Sequence, residues 1–196
     1  MRKTSLPEKR PRPIALFGGK FDPPHLGHQI ALFLLLHKLG MHQVWLIPSA
    51  VHPFGYPMSP FSLRLKMCRL LALPWRGRHK VRILDDERKI GTSPVYTITL
   101  VRYLIEHYGP RDYRLVIGED NWNARHEWKE FDELTRLASP IVIGRGENSA
   151  FPLALPDLSS STVRAAIAAG EPWEHLVPAG VAAFIRKHRL YPDAER

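Results

Sequence analysis

Ile14-Ala15-Leu16-Phe17-Gly18-Gly19-Lys20-Phe21-Asp22-Pro23-Pro24-His25-Leu26-Gly27-His28 is an apolar run, a glycine turn and two histidines three residues apart. The order predicts a strand that delivers a phosphate chain to the start of a helix. Gly18 and Gly19 let the backbone approach a ligand closely. A helix starting near His25 offers unpaired N–H groups and the positive end of its dipole, and residues three apart share one helical face. A single histidine near a helix start is usually a cap or a surface residue. Two in register after Gly-Gly and Asp-Pro-Pro form an anion cradle with both imidazoles aimed at one place, which suits a phosphate chain undergoing substitution.

Working outward, short apolar runs at Ile14 to Phe17, Val44 to Ile47, Val81 to Leu84, Arg114 to Ile117 and Pro140 to Ile143 read as strands. Helical patterns lie between them at Leu26 to Leu39, Phe61 to Leu73, Tyr96 to Tyr108 and Asn121 to Leu137, the last of them broken. Strand and helix in alternation imply an α/β fold, a Rossmann-like parallel sheet sandwiched by helices, with a small helical part at the C-terminal end. Ligands of such sheets sit beyond the carboxyl ends of the strands, where the Gly18 turn, the Pro48 segment and Gly118-Glu119-Asp120 fall. After a loop through Phe151, Pro152, Pro156 and Asp157, a serine cap opens a helix that Gly170 ends. A last helix runs from Pro178 to Lys187, with Arg186, Lys187 and His188 complementing its carboxyl end.

The 196 residues suit one domain, residues 14–196, behind a disordered basic leader, residues 1–13. Of the formal charge of +9, the leader carries +4, through Arg2, Lys3, Lys9, Arg10 and Arg12 against Glu8. The remainder helps collect anionic nucleotides, and no basic stripe interleaved with aromatics calls for a polynucleotide. The leader lacks the apolar stretch of a signal peptide. No segment reaches the roughly 18 to 20 apolar residues of a membrane span; Ile30 to Leu36 reads as a buried helix packed on the sheet. One cysteine, Cys68, excludes an internal disulfide and a multi-cysteine zinc site, and its apolar setting reads as a buried structural thiol. A cytoplasmic protein follows as the expectation, with the oligomeric state open and a homo-oligomer allowed.

Ser160, Ser161 and Arg164 bring hydroxyls, helix N–H groups and a guanidinium to one helix start, a second anion site; ordinary capping beside a surface arginine is the plainer alternative. The Gly19-to-His28 run resembles the (S/T)FDPxHxGH signature of the nucleotidyltransferase superfamily, and the Ser160 segment resembles its ISSTxxR element, with Lys20 and Ser161 replacing the usual residues. Lys20 either adds a cation to the phosphate site or points to solvent.

Within that superfamily, Ser93-Pro94-Val95-Tyr96-Thr97, Gly118-Glu119-Asp120-Asn121 and Trp128, eight residues after Asp120, resemble the bacterial nicotinate-nucleotide adenylyltransferase family. The resemblance covers most of Ile14 to Tyr191. It implies that Trp128 stacks on the pyridine ring and that Tyr96 and Thr97 receive the nicotinate carboxylate; a core aromatic is the plain alternative for Trp128. Two departures fall on the acceptor side: Val51-His52-Pro53-Phe54-Gly55-Tyr56-Pro57 replaces the usual Pro-Pro-His-Lys run, and Pro94-Val95 stretch the Ser-Tyr-Thr segment.

The implied reaction is adenylyl transfer from ATP to nicotinate mononucleotide. His25, His28 and Arg164 are the expected catalytic residues. Gly18, Gly19, Lys20, Phe21, Gly118, Asp120, Ser160 and Ser161 are expected on the ATP side, and Tyr96, Thr97 and Trp128 on the acceptor side. Mg²⁺ is expected to arrive with ATP, without a dedicated protein cage. Nicotinamide mononucleotide, pantetheine phosphate, a CTP-dependent acceptor and a non-catalytic nucleotide-binding role are the alternatives.

Overall fold

Strands β1 (Ile14–Gly19) and β2 (Gln43–Pro48) are apolar at consecutive positions because both of their faces are covered. Ile14, Leu16, Trp45 and Ile47 enter one core cluster, and Ala15, Val44 and Leu46 enter another on the opposite side. This alternation follows from the two-residue period of a strand. The computed structural model describes residues 12–51, 55, 57–78, 80–146 and 151–192. The basic leader up to residue 11, and His52, Pro53, Phe54 and Tyr56 of the acceptor-side segment, lie outside the described residues.

With β3 (Val81–Ile83), β4 (Tyr113–Gly118), β5 (Ser139–Arg145) and β6 (Ala154–Leu155), the strands form a six-stranded sheet ordered β3-β2-β1-β4-β5-β6. Every recorded pairing is parallel. Helices α1 (Leu26–Phe33) and α2 (Phe61–Leu71) cover one face through Ala31, Leu32, Leu35, Cys68 and Leu71, the chain continuing past α1 as a π-helical turn at Leu34–Lys38. Helices α3 (Thr97–Tyr108) and α5 (Phe131–Leu137) cover the other through Ile98, Val101, Leu104 and Leu134. The chain winds from β1 outward to β3, then returns to β4. The strand order therefore reverses between β1 and β4, the place where doubly wound sheets hold ligands.

The short helix α4 (Glu119–Asn123) begins directly at the end of β4. At the C-terminal end, α6 (Ser160–Ala168) and α7 (Ala179–His188) share a smaller cluster with Met67 of α2, built on Val163, Trp173, Val181 and Ile185. Ser159 caps α6, its hydroxyl accepting the Thr162 N–H at 3.0 Å, and Gly170 follows the helix at φ +67°.

Two local expectations change. The Ile30–Leu36 stretch is buried along one side only: Ile30 is 37% and Phe33 54% exposed, because a helix packed on a flat sheet hides only the residues that face it. The Phe151–Asp157 loop contains the two-residue strand β6, which is too short for any alternation to show in sequence.

Leu35 is fully buried beneath the sheet. Leu35→Ala is expected to lower unfolding stability by about 2–5 kcal/mol. Urea titration checks this through a lower midpoint at an unchanged slope.

Candidate active site

The turn from β1 into α1 has no strand or helix ladder of its own, so its polar groups are met by side chains from elsewhere. Arg64 of α2, itself buried, donates to the Lys20 carbonyl at 2.8 Å and to the Ser59 carbonyl at 2.8 Å. Arg164 of α6 donates to the Asp22 carbonyl at 2.6 Å, and the Ser160 hydroxyl donates to the Pro23 carbonyl at 2.9 Å. The Asp22 carboxylate, 5% exposed, accepts the Ser59 N–H at 2.9 Å and the Tyr191 hydroxyl at 2.6 Å. The two anion-binding segments, 137 or more residues apart in sequence, thus meet through direct hydrogen bonds.

His25 occupies the N-cap of α1 and His28 its third residue, with ring centroids 3.8 Å apart. The His25 N–H donates to His28 Nδ1 at 3.1 Å. That bond leaves His28 neutral with its proton on Nε2, a donor available to a ligand. His25 Nδ1 is buried and has no hydrogen-bond partner among the described residues. Gly27 is required by this packing. A Cβ there would stand 2.9 Å from two atoms of the His25 ring. At Gly18 and Gly118 a Cβ would meet no protein atom within 4 Å, so the open space lies where a ligand would approach the strand ends.

Burial lowers the His25 pKa to about 4, with the nearby Arg145 guanidinium adding to the effect. His28 is held well below its ordinary value by burial, then by His25 and by Arg145. Arg145, at the end of β5, also stands 3.8 Å from Asp120 Oδ2. Its charge acts on both histidines, and sequence reasoning missed it, since a lone arginine at a strand end carries no local signal.

The Phe21 ring is 1% exposed and packs against Phe17 at 5.6 Å and His28 at 4.9 Å, so it supports His28 from behind. Its left-handed backbone, φ +49°, turns the ring inward. Lys20 is exposed beside the turn, and the Ser161 hydroxyl is 2.7 Å from that of Ser159 in the cap of α6. Asp120, in the first turn of α4, projects into solvent apart from its Arg145 contact.

On the acceptor side, Tyr96 is the N-cap of α3 and Thr97 its first residue; the Lys129 ammonium lies 5.2 Å from the centre of the exposed Tyr96 ring. Trp128 is half-buried, edge-on to Phe131 at 6.1 Å, and packs on the same core cluster as Val95. Among the described residues, no hydrogen bond or ring contact joins this group directly to His25 or His28. A cavity of about 340 Å³ opens past the ends of β2 and β3, walled by Ala50, Val51, Glu87, Ile90, Thr92 and Val95. Glu87 is a second residue that sequence reasoning missed. It accepts the Ala50 N–H at 3.1 Å, and burial raises its pKa to about 7.

Imidazole N–H groups, hydroxyls and guanidinium groups around one helix start form an anion-binding set. Among the described residues, no three His, Cys, Asp or Glu side chains gather to hold a metal ion. None of the described helices is long and apolar enough to cross a membrane.

Comparison with known proteins places this geometry. The cytidylyltransferase-like family matches residues 16–166. The "Probable nicotinate-nucleotide adenylyltransferase" of Anaeromyxobacter dehalogenans is 37% identical, covering 92% of this chain and 97% of that protein. Its namesake from Myxococcus xanthus is 34% identical over 91% and 94%. In fold, the chain is similar to Plasmodium falciparum nicotinic acid mononucleotide adenylyltransferase complexed with NaAD, at a TM-score of 0.76 and 18% identity over 92% and 97% of the two chains.

Because the folded histidines protonate below the ordinary value of 6.5, the unfolded chain takes up protons first as pH falls, and stability drops from pH 6.5 towards 4. Glu87 acts in the opposite sense, holding its proton up to about 7 in the fold. Unfolding of wild type and His28→Asn at several pH values isolates the histidine contribution. The variant is expected to gain on wild type by up to about 1.4 kcal/mol per pH unit below 6.5. A pH-independent difference would contradict a buried neutral His28.

Proposed function

This chain belongs to the cytidylyltransferase-like family and, within it, to the nicotinate-nucleotide adenylyltransferases, and we propose from that premise that it joins ATP to nicotinate mononucleotide, giving nicotinate adenine dinucleotide and pyrophosphate for NAD biosynthesis. The observation that carries the reading is the meeting of the paired imidazoles of His25 and His28 with the start of α6 at one turn.

The acceptor's phosphate attacks the α-phosphorus of ATP. One P–O bond forms, the bond to the bridging oxygen breaks, and pyrophosphate leaves with the electron pair. A phosphate monoester with a second pKa of about 6 is already largely dianionic at neutral pH, so the step needs no protein nucleophile and no strong base. What it needs is alignment of two anions and donors where charge develops. Neutral His25 and His28 supply N–H groups to the transferred phosphoryl group. Ser160, Ser161 and Arg164 take the β and γ phosphates, Arg164 having four of its five N–H donors left after its bond to the Asp22 carbonyl.

Arg145 and Lys20 add positive charge beside them, Gly18 and Gly118 leave room for the nucleotide, and Gly19 brings its backbone to it while leaving space for the Phe21 ring. Asp120 orients the adenosine side through a ribose hydroxyl. Trp128 stacks on the pyridine ring, with Tyr96 and Thr97 receiving its carboxylate at the start of α3. Mg²⁺ enters as part of the substrate, held on the triphosphate, and offsets its charge.

Pyrophosphate release with Mg²⁺ and ATP is expected with nicotinate mononucleotide in preference to nicotinamide mononucleotide and phosphopantetheine, and with ATP in preference to CTP. His28→Ala is expected to lower kcat by about 10²–10³-fold while the fold is kept; a wild-type kcat would remove His28 from the mechanism. Trp128→Ala is expected to raise the acceptor KM about tenfold, with the KM for ATP unchanged. An unmoved acceptor KM in a folded variant counts against stacking.

A further inference from the structure

Tyr191 lies three residues past α7, in a left-handed conformation at φ +60°, and its hydroxyl reaches a carboxylate 169 residues away in sequence. Its donor distance to Asp22 Oδ1 is 2.6 Å, within the range of a charge-assisted hydroxyl–carboxylate hydrogen bond. The other carboxylate oxygen is taken by the Ser59 N–H, just ahead of α2, so Asp22 draws together the phosphate turn, the approach to α2 and the segment after α7. Asp22 is also the residue whose carbonyl anchors Arg164, and it stands three residues before His25. A rotation at residue 22 would therefore displace both an arginine on the phosphate side and the peptide that carries the imidazole pair. Burial and the hydrogen bond to the Asp22 carboxylate raise the phenol's pKa against a smaller opposing hydrogen bond from the Ser59 side chain, so Tyr191 stays a proton donor to Asp22.

We propose that Tyr191 is a positioning residue for adenylyl transfer, fixing through its hydrogen bond to Asp22 the turn that carries His25 and aims Arg164. The inference rests on the reading of this turn as the ATP site. It differs from a purely architectural role, since it assigns the effect of one hydroxyl to the nucleotide and not to the fold as a whole.

Tyr191→Phe removes that hydroxyl and keeps the ring. Direct titration of MgATP by calorimetry is expected to show at least fivefold weaker binding in the variant. Steady-state assays are expected to show a KM for ATP raised to match and an unchanged KM for nicotinate mononucleotide. A merely structural role would lower the amount of active protein, reducing kcat with both KM values and the MgATP affinity unmoved, and that result overturns the proposal.

Asp22→Ala removes both acceptor oxygens and supplies the second arm. If Tyr191 acts through Asp22, the double variant loses no more MgATP affinity than Asp22→Ala alone, whereas additive losses refute the link. If Tyr191→Phe does not fold, a selective loss of MgATP affinity in folded Asp22→Ala supports the proposal, and unchanged affinity there overturns it. Wild-type protein that binds MgATP but does not turn over nicotinate mononucleotide would refute the acceptor assignment while the MgATP comparison still decides the role of Tyr191.

Discussion

A buried turn without a hydrogen-bond ladder has to be satisfied from outside, and the arrangement of this protein's site follows from how that is done. The carbonyls of Lys20, Asp22 and Pro23 and the carboxylate of Asp22 take donors from Arg64, Arg164, Ser160, Tyr191 and the Ser59 backbone. Each leaves a buried polar group short of a partner if removed, which costs more than the bond's net contribution when made. The requirement draws α2, α6 and the segment after α7 against the end of β1. The C-terminal helices are therefore held to the sheet by the same contacts that shape the phosphate turn, along with their own apolar cluster on Met67 and Val163.

Electrostatics at the turn runs in one direction. Both imidazoles are uncharged near neutrality because they are buried and because Arg145 stands close by. Positive potential comes instead from guanidinium groups, which do not lose their protons; the exposed Asp120 pairs with Arg145, and the Asp22 carboxylate is taken up by Ser59 and Tyr191. An incoming polyphosphate meets donors whose charge state does not fluctuate with small pH changes. It would also supply the negative charge that the unpaired His25 nitrogen and the arginines lack among themselves.

The sheet was readable from sequence because its signal is local. Ile14 to Phe17 and Val44 to Ile47 are apolar without interruption since both faces are covered, and the Ser159 cap and Gly170 stop lie next to the helix they bound. The His25 and His28 pair was readable for the same reason, as two residues one helical turn apart. Arg145, Glu87, Arg64 and Tyr191 were not. Each acts through a partner at least 20 residues away in sequence, so no window around it reveals its role.

The sheet order has one more effect. Its long strands, β1, β2, β4 and β5, are interior, while the outer strands β3 and β6 have three and two residues. Unpaired N–H and C=O groups along a long outer strand invite pairing with another chain. Here neither rim offers more than a few such groups in a row. The most apolar segments of the chain are thus kept from templating aggregation by their rank in the sheet.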